Sequence, residues 1–310
     1  MRFVDDLYSY EKRKWKLLKT YSSFSLEEVL DGCICENLYG DFYLLENDIT
    51  IGERVICTDF TPLISQIRLV KGIGKKRYHE LKQKGVKDLN DLTDKKIYVE
   101  DSKKLLRWID NGEYLKIFNR IEKKLPKSHP IYLSLICAIG LEEMMIFDIE
   151  SLGFSGSPIF LIGTATFTEK GLRIKQYLAR DESEEKSILE EFKRDMEDKM
   201  GLISFNGRRF DENLIKNRAK EHELNITFSK IHVDLLNIAK GYWGERCDNF
   251  ELSTLENEIL ETERKNDIPS ALVPHFYRSY IDKENPGTLL PIIEHNKRDM
   301  ISIARLFEYF

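Results

Sequence analysis

Two carboxylates, Asp148 and Glu150, close the apolar run at residues 144–150 (MMIFDIE). On a strand the side chains alternate, so an i, i+2 pair projects from one face of the sheet. Adjacent anions repel, and each raises the other's pKa. A fold keeps such a pair chiefly when a cation sits between them. An oxygen-only donor set favours a hard divalent ion, Mg2+ or Mn2+. The rest of the chain must then supply further ligands.

Three later segments carry candidates. Residues 204–211 (SFNGRRFD) contain Asn206 and Asp211, residues 232–236 (HVDLL) contain Asp234, and residues 295–299 (HNKRD) contain His295 and Asp299. At helical spacing i, i+4, His295 and Asp299 share one face. Each residue alone also fits a plain structural role. Asp148 and Glu150 could end a strand in solvent, Asp211 could complement a helix dipole, and His295 and Asp299 could sit on a solvated helix face with Arg298.

The elements that must position these groups follow from periodicity. Strands are expected at 144–149, 159–167 and 172–178, the last two joined by a turn near Lys170-Gly171. An amphipathic helix at 182–199, a strand at 201–205, a helix at 211–221, a strand at 230–233 and a helix at 235–242 come next. Residues 251–310 read as helical, the last helix covering 288–309. Upstream, 25–30 reads as a short capped helix, 33–46 as strands around a turn at Gly40-Asp41, and 102–124 as an amphipathic helical stretch. Residues 125–130 (LPKSHP), with two prolines, mark a domain edge.

The order β-β-β-α-β-α-β-α, with acids at the end of its first strand, resembles the ribonuclease H-like fold. Residues 147–151 (FDIES) resemble the first motif of the DEDD exonucleases, 206–211 the second (N-x-x-x-F-D), and 295–299 the third. With 232–236, 252–256 (LSTLE) and 264–274 (RKNDIPSALVP), the chain resembles the YprB-like branch of these proteins over roughly residues 135–310. In one respect it departs from the pattern. Three residues separate His295 from Asp299, as in members with Tyr at that place, where His-type members have four. The resemblance implies a 3′–5′ exonuclease using two Mg2+ or Mn2+ ions, which together supply hydroxide and neutralise charge in phosphodiester hydrolysis. Asp148 would bridge both ions, Glu150 and Asp299 would complete one site, and Asp211 would serve the other partly through water. His295 would take a proton from the attacking water. Asn206 would position substrate or motif, and Asp234 would support the helix behind its strand.

Residues 69–77 (LVKGIGKKR), then Leu81, Gly85-Val86 and 89–92 (LNDL), resemble a helix-hairpin-helix motif. Gly72 and Gly74 permit a tight turn with unhindered N–H groups, placed at a helix start where a phosphate binds well. Lys75, Lys76 and Arg77 add charge. From 68 to 87 there are eight Lys or Arg against the single acid Glu80. Such contacts read backbone, not bases. The plain reading is an αα-hairpin with a solvated basic face.

The bulk numbers set bounds. The chain has 310 residues, 42% of them hydrophobic, and a net charge of −5. The total charge alone would not point to nucleic acid, because the distribution carries the signal. Five cysteines without a dense framework point to free thiols and a reducing compartment. The N-terminus has no apolar signal-peptide core, and no run is long enough to span a bilayer. The expectation is a cytoplasmic protein with no membrane partner. It has an N-terminal mixed region (1–60), a helix-hairpin-helix and helical region (61–130) and a ribonuclease H-like mixed sheet flanked by helices (131–310). Its partner would be nucleic acid, DNA over RNA, in repair or processing, with a helicase as the expected companion. Two alternatives stay open: a binding module with an inactive nuclease fold, and a ribonuclease H-type endonuclease on RNA–DNA hybrids.

Overall fold

The computed structural model describes residues 2–51, 61–153, 156–228, 230–264 and 266–310, with side chains from residue 8 onward. The chain opens with α1 (Arg2–Thr20) and the one-turn α2 (Leu26–Val29), then a hairpin of β1 (Gly32–Asn37) and β2 (Gly40–Thr50). A helical block follows: α3 (Thr61–Ser65), α4 (Lys75–Gln83), α5 (Val99–Asp110), α6 (Tyr114–Lys124) and α7 (Ile131–Ile139). The remainder is β3 (Met144–Ser151), β4 (Ile159–Thr168), β5 (Gly171–Leu178), α8 (Glu185–Glu197), β6 (Gly201–Ser204), α9 (Asp211–Glu221) and β7 (Ile231–Asp234). It ends with α10 (Leu235–Trp243), α11 (Leu252–Glu258), α12 (Val273–Lys283) and α13 (Leu290–Arg305).

All seven strands form one mixed sheet, ordered β1-β2-β5-β4-β3-β6-β7. β3 lies between β4, which runs antiparallel to it, and β6, which runs parallel. The β3–β4 register shifts between Glu150 and Ser151, a bulge of the kind that re-aims side chains at strand ends.

The pleat divides the core in two. Met144 and Ile146 pack in one cluster with Ile203, Met300 and Ile303; Met145 and Phe147 pack in the other with Ile188, Leu189 and Phe192. By the same alternation Asp148 and Glu150 fall on the side of Ile146, where α13 lies. Buried residues of the helical block, among them Ile67, Val70, Leu89 and Ile121, belong to that same cluster. The block therefore shares a core with the sheet.

Several expectations change. The N-terminal hairpin joins the main sheet: β2 pairs with β5 from Tyr43↔Leu178 to Thr50↔Gly171. Which strand a hairpin joins is a long-range choice that a local pattern does not encode. The hairpin turn falls at Leu38-Tyr39, before Gly40. The 102–124 stretch breaks at Asn111-Gly112, where Gly112 takes φ +65°, into α5 and α6. Coil interrupts the helical C-terminal part between α11 and α12. Cys33, Cys35 and Cys247 are free thiols, whereas Cys137 is disulfide-bonded, against the expectation of free thiols throughout. Disulfide formation depends on tertiary proximity, which spacing along the chain does not reveal. Cys57 lies outside the described residues. Among the described residues no helix is long and apolar enough to cross a membrane.

Candidate active site

Asp148 is tethered from α13. Nδ2 of Asn296 donates to Asp148 Oδ2 at 2.8 Å, and Oδ1 of Asn296 accepts from Nε2 of Gln176 at 2.8 Å. Asp148 lies opposite Gly163 of β4. A Cβ at Gly163 would collide with Asn296 Oδ1 and lie 2.6 Å from the Met300 methyl. The missing side chain makes room for the tether. Burial pushes the pKa of Asp148 well up, and Asp299 and Asp211 add to it; His295 and the Asn296 hydrogen bond work the other way. Glu150 is raised in the same manner by burial, then Asp148, Asp299 and Asp211.

Asp211 is the first residue of α9. The loop before it is tight: Asn206 takes φ +66°, and a Cβ on Gly207 would stand 2.8 Å from Asp211 Oδ2. Asp234 caps α10 by accepting from Leu236 N at 3.1 Å and braces the loop by accepting from Asn206 N at 2.8 Å. Burial, then the charges of Asp234 and Asp299, push Asp211 up to about 7.

α13 carries His295 and Asp299 one turn apart, with His295 Nε2 3.9 Å from Asp299 Oδ2 and 4.0 Å from Glu150 Oε1. The other ring nitrogen, Nδ1, donates to Asp267 at 2.9 Å. That bond orients the imidazole with Nε2 toward the carboxylates. Burial lowers the pKa of His295, but the Asp267 hydrogen bond and the charges of Asp299 and Asp267 outweigh it and leave the group raised. Arg264 binds Asp299, Asp267 (2.9 Å) and Glu256 together. Asp299 is nonetheless raised, by burial first, against the pull of His295 and Arg264.

Asp148, Glu150, Asp211 and Asp299 therefore come from a strand and two helices distant in sequence, and they act on one another's charge. None is a solvated end: Glu150 is 8% exposed and His295 4%. An acid cluster held in its anionic form needs positive charge, and Arg264 supplies one unit. In donor chemistry the set fits a hard divalent ion. Among the described residues, however, no group of three or more His, Cys, Asp or Glu side chains stands together as a ready metal site. The fit lies in donor type and charge.

The site opens into a cleft of about 1150 Å3 lined by Asn206, Arg264, Asp267, Ser270, His295 and Asp299, and by α1 through Ser9, Tyr10 and Arg13. Glu150 and Asp211 face a second, more apolar cavity of about 710 Å3 with Phe210, Asn213 and Asn217.

The basic turn lies in the helical block. Gly72 takes φ +85°. Gly74 precedes α4 in extended conformation, with no side-chain cap on the helix. Lys75 and Lys76 are exposed. Arg77 is engaged within the chain: Nη1 donates to Glu80 at 2.8 Å and Nε to the Tyr98 hydroxyl at 3.0 Å. The N–H of Lys71 goes to Asp101 at 2.6 Å, itself held by Arg120 at 2.8 Å. A second link runs from α6 to the Asn206–Asp211 loop. Glu122 accepts two hydrogen bonds from Arg208, both 3.1 Å, and one from the Tyr132 hydroxyl at 2.7 Å.

Sequence reasoning assigned no role to Asn296, Gln176, Gly163, Arg264, Asp267 or Glu256. Asn296, Arg264, Asp267 and Glu256 sit inside segments it singled out, but an Asn beside a His, or an Arg in a coil, has no spacing that points to its partner. Gly163 was the available signal. A glycine inside a strand (IFLIGTATF) marks a close approach.

A family model described as the RNase H superfamily matches residues 145–310. An uncharacterized protein, YprB, of Bacillus subtilis (strain 168) is 31% identical over 173 residues, which is 53% of this chain and 41% of that protein. The chain thus aligns with less than half of its relative's length. Among solved structures, a family B DNA polymerase from the hyperthermophilic archaeon Pyrobaculum calidifontis matches with a TM-score of 0.43 and 16% identity, over 54% of this chain and 24% of that one.

Proposed function

This chain belongs to the RNase H superfamily, and from that premise we propose that it is a metal-dependent 3′–5′ exonuclease that hydrolyses nucleic acid, DNA in preference to RNA. The RNase H-like fold points to a nuclease, and nucleases of this fold generally use divalent metals. The observation that carries the finer reading is the cluster itself. Asp148, Asp211 and Asp299 all act by charge on Glu150, which lies 4.0 Å from a histidine whose Nδ1 is braced by Asp267.

Asp148, Glu150, Asp211 and Asp299 would hold the metal, as two ions. When bound, the metal supplies an activated water and neutralises charge on the phosphate. The chain's own residues do the rest. Asn296 fixes the carboxylate of Asp148, and Asp267 fixes His295 so that Nε2 takes a proton from the attacking water. Arg264 holds Asp299 in register with Asp267 and Glu256. The turn at Gly72 and Gly74, with Lys75 and Lys76, grips the phosphate backbone in the manner of a helix-hairpin-helix, independent of base sequence. That motif class is the reason for favouring DNA and a role in repair or processing beside a helicase.

A second reading, a nucleic-acid-binding module with an inactive nuclease fold, draws on the Arg264–Asp299 pair, which puts a protein cation on a candidate ligand. The test uses 5′-labelled single-stranded DNA, RNA and RNA–DNA hybrid with Mg2+ or Mn2+, with and without chelator, and Asp148→Ala as control. A metal-dependent ladder shortening from the 3′ end, absent in Asp148→Ala, is expected. Binding without cleavage sinks the exonuclease reading in favour of the second. Internal cuts confined to the hybrid would mean a ribonuclease H-type endonuclease.

A further inference from the structure

The large cleft has two walls, and one of them comes from outside the matched residues 145–310. On one side stand His295, Asp299, Asp267 and Arg264. On the other is α1, through Ser9, Tyr10 and Arg13. A polyanionic strand entering a cleft lined by Asp267 and Asp299 needs cations on the way in. Two arginines line the cleft. Arg264 is bound by Glu256, Asp267 and Asp299 at once. Among the described residues Arg13 makes one hydrogen bond: Nη1 donates to the backbone carbonyl of Asp267 at 3.2 Å. Among the described residues it has no carboxylate ion pair. A guanidinium carries five N–H donors in a fixed fork suited to phosphate, so Arg13 is the cation of this wall that still has donors to offer.

Its surroundings agree. Burial pushes the pKa of Arg13 down, and the nearby charge of Arg298 does the same, against Asp267 and Tyr10. Arg13 is also held in place, because α1 is docked. Lys14 is buried and hydrogen-bonded to Glu11 (2.9 Å) and to His275 of α12. The carbonyl of Leu18 accepts from Asn285 Nδ2 at 2.8 Å. A Cβ on Gly287 would lie 2.5 Å from the Tyr21 ring, so the backbone packs directly against that aromatic. Residues 12–19 (KRKWKLLK) hold five cations and no acid.

We propose that Arg13, presented by α1, is a substrate-binding residue that takes a backbone phosphate of the nucleic-acid strand as it enters the carboxylate site. The inference rests on the nucleic-acid reading of that site given above. Arg13 acts in binding rather than in the proton transfer, and α1 is a wall of the active-site cleft.

The test measures binding and hydrolysis separately in the whole chain. Affinity for a 5′-fluorescein dT12 oligonucleotide is read by anisotropy in chelator over a range of salt, for wild type, Arg13→Gln and Arg13→Lys. KM and kcat are read with Mn2+. Arg13→Gln is expected to weaken binding about tenfold and to reduce the slope of log K against log salt by about 0.7, the value for one single-strand phosphate contact. KM should rise in parallel, with kcat changed less than about threefold, and Arg13→Lys should recover most of the affinity. Unchanged affinity in Arg13→Gln overturns the proposal. So does an equal loss in Arg13→Lys together with a lowered Tm, which would make Arg13 only a clamp on the Asp267 loop. If wild type binds dT12 and cleaves nothing, the exonuclease reading fails while the affinity loss in Arg13→Gln still decides this one.

Discussion

Gly163 of β4 stands across the sheet from Asp148 of β3, and the space its side chain would fill holds the amide of Asn296, which grips Asp148. The hydrogen atom at one position thus sets the carboxylate at another, through a helix more than 100 residues away. Gly163→Ala should destabilise the protein by about 1–3 kcal/mol, the usual cost of overpacking. It should also lower hydrolysis more than a neutral core substitution of equal cost. Urea denaturation and steady-state rates measure both. Wild-type stability in Gly163→Ala would mean that the tether is slack.

The acid cluster makes a prediction about metal removal. Asp148, Glu150, Asp211 and Asp299 are all pushed toward their neutral forms by burial, and for the first three by one another's charge as well. Removing one anion relieves the folded state alone. In chelator at pH 7.5, Asp148→Asn should raise Tm by a few degrees, equivalent to roughly 1 kcal/mol. Mn2+ should raise Tm of wild type and leave the variant nearly unmoved. Differential scanning fluorimetry reads both. A lowered Tm for Asp148→Asn in chelator would count against crowded charge.

Asp101 carries the pH prediction. Burial works to raise its pKa, but the Arg120 hydrogen bonds and the Lys71 N–H prevail and hold it below the usual carboxylate value. A depressed folded pKa gives stability that is present above the unfolded pKa, near 3.9, and lost as pH falls through the folded one. Urea midpoints of wild type should therefore drop between about pH 4.5 and pH 2.5. Asp101→Asn should start about 1–3 kcal/mol lower at pH 7, with Arg120 left unpaired, and fall less over that window. Parallel curves for the two proteins would rule the pair out as an acid-sensitive one.

Glu122 and Arg208 join α6 to the Asn206–Asp211 loop. A double-mutant cycle of Glu122→Gln and Arg208→Gln should give a coupling energy of about 1–2 kcal/mol, and each single variant should slow hydrolysis. Strictly additive effects would mean that the contact does not connect the block to the loop.

Lys75 and Lys76 are exposed where α4 starts without a side-chain cap. The double change Lys75→Glu, Lys76→Glu should weaken oligonucleotide binding and reduce the salt slope by about 1.4 in single strands, two contacts' worth. An unaltered slope would leave the basic face solvated, with no part in binding.

Local periodicity by itself determined the elements that hold the site. The i, i+2 carboxylates had to share a face of β3, and the i, i+4 pair His295 and Asp299 a face of α13, because strand and helix geometry leave no other choice. Tertiary structure alone decided what surrounds them. Asp267 reaches His295 and Arg264 reaches Asp299 from a coil 28 and 35 residues away. Asn296 turns to Asp148 across 148 residues, β2 joins the distant β5, and α1 supplies a wall of the cleft. Spacing reports only neighbours within a turn or two of the chain. A buried charge is satisfied by whichever partner the packed core brings near, and that partner carries no mark in the sequence.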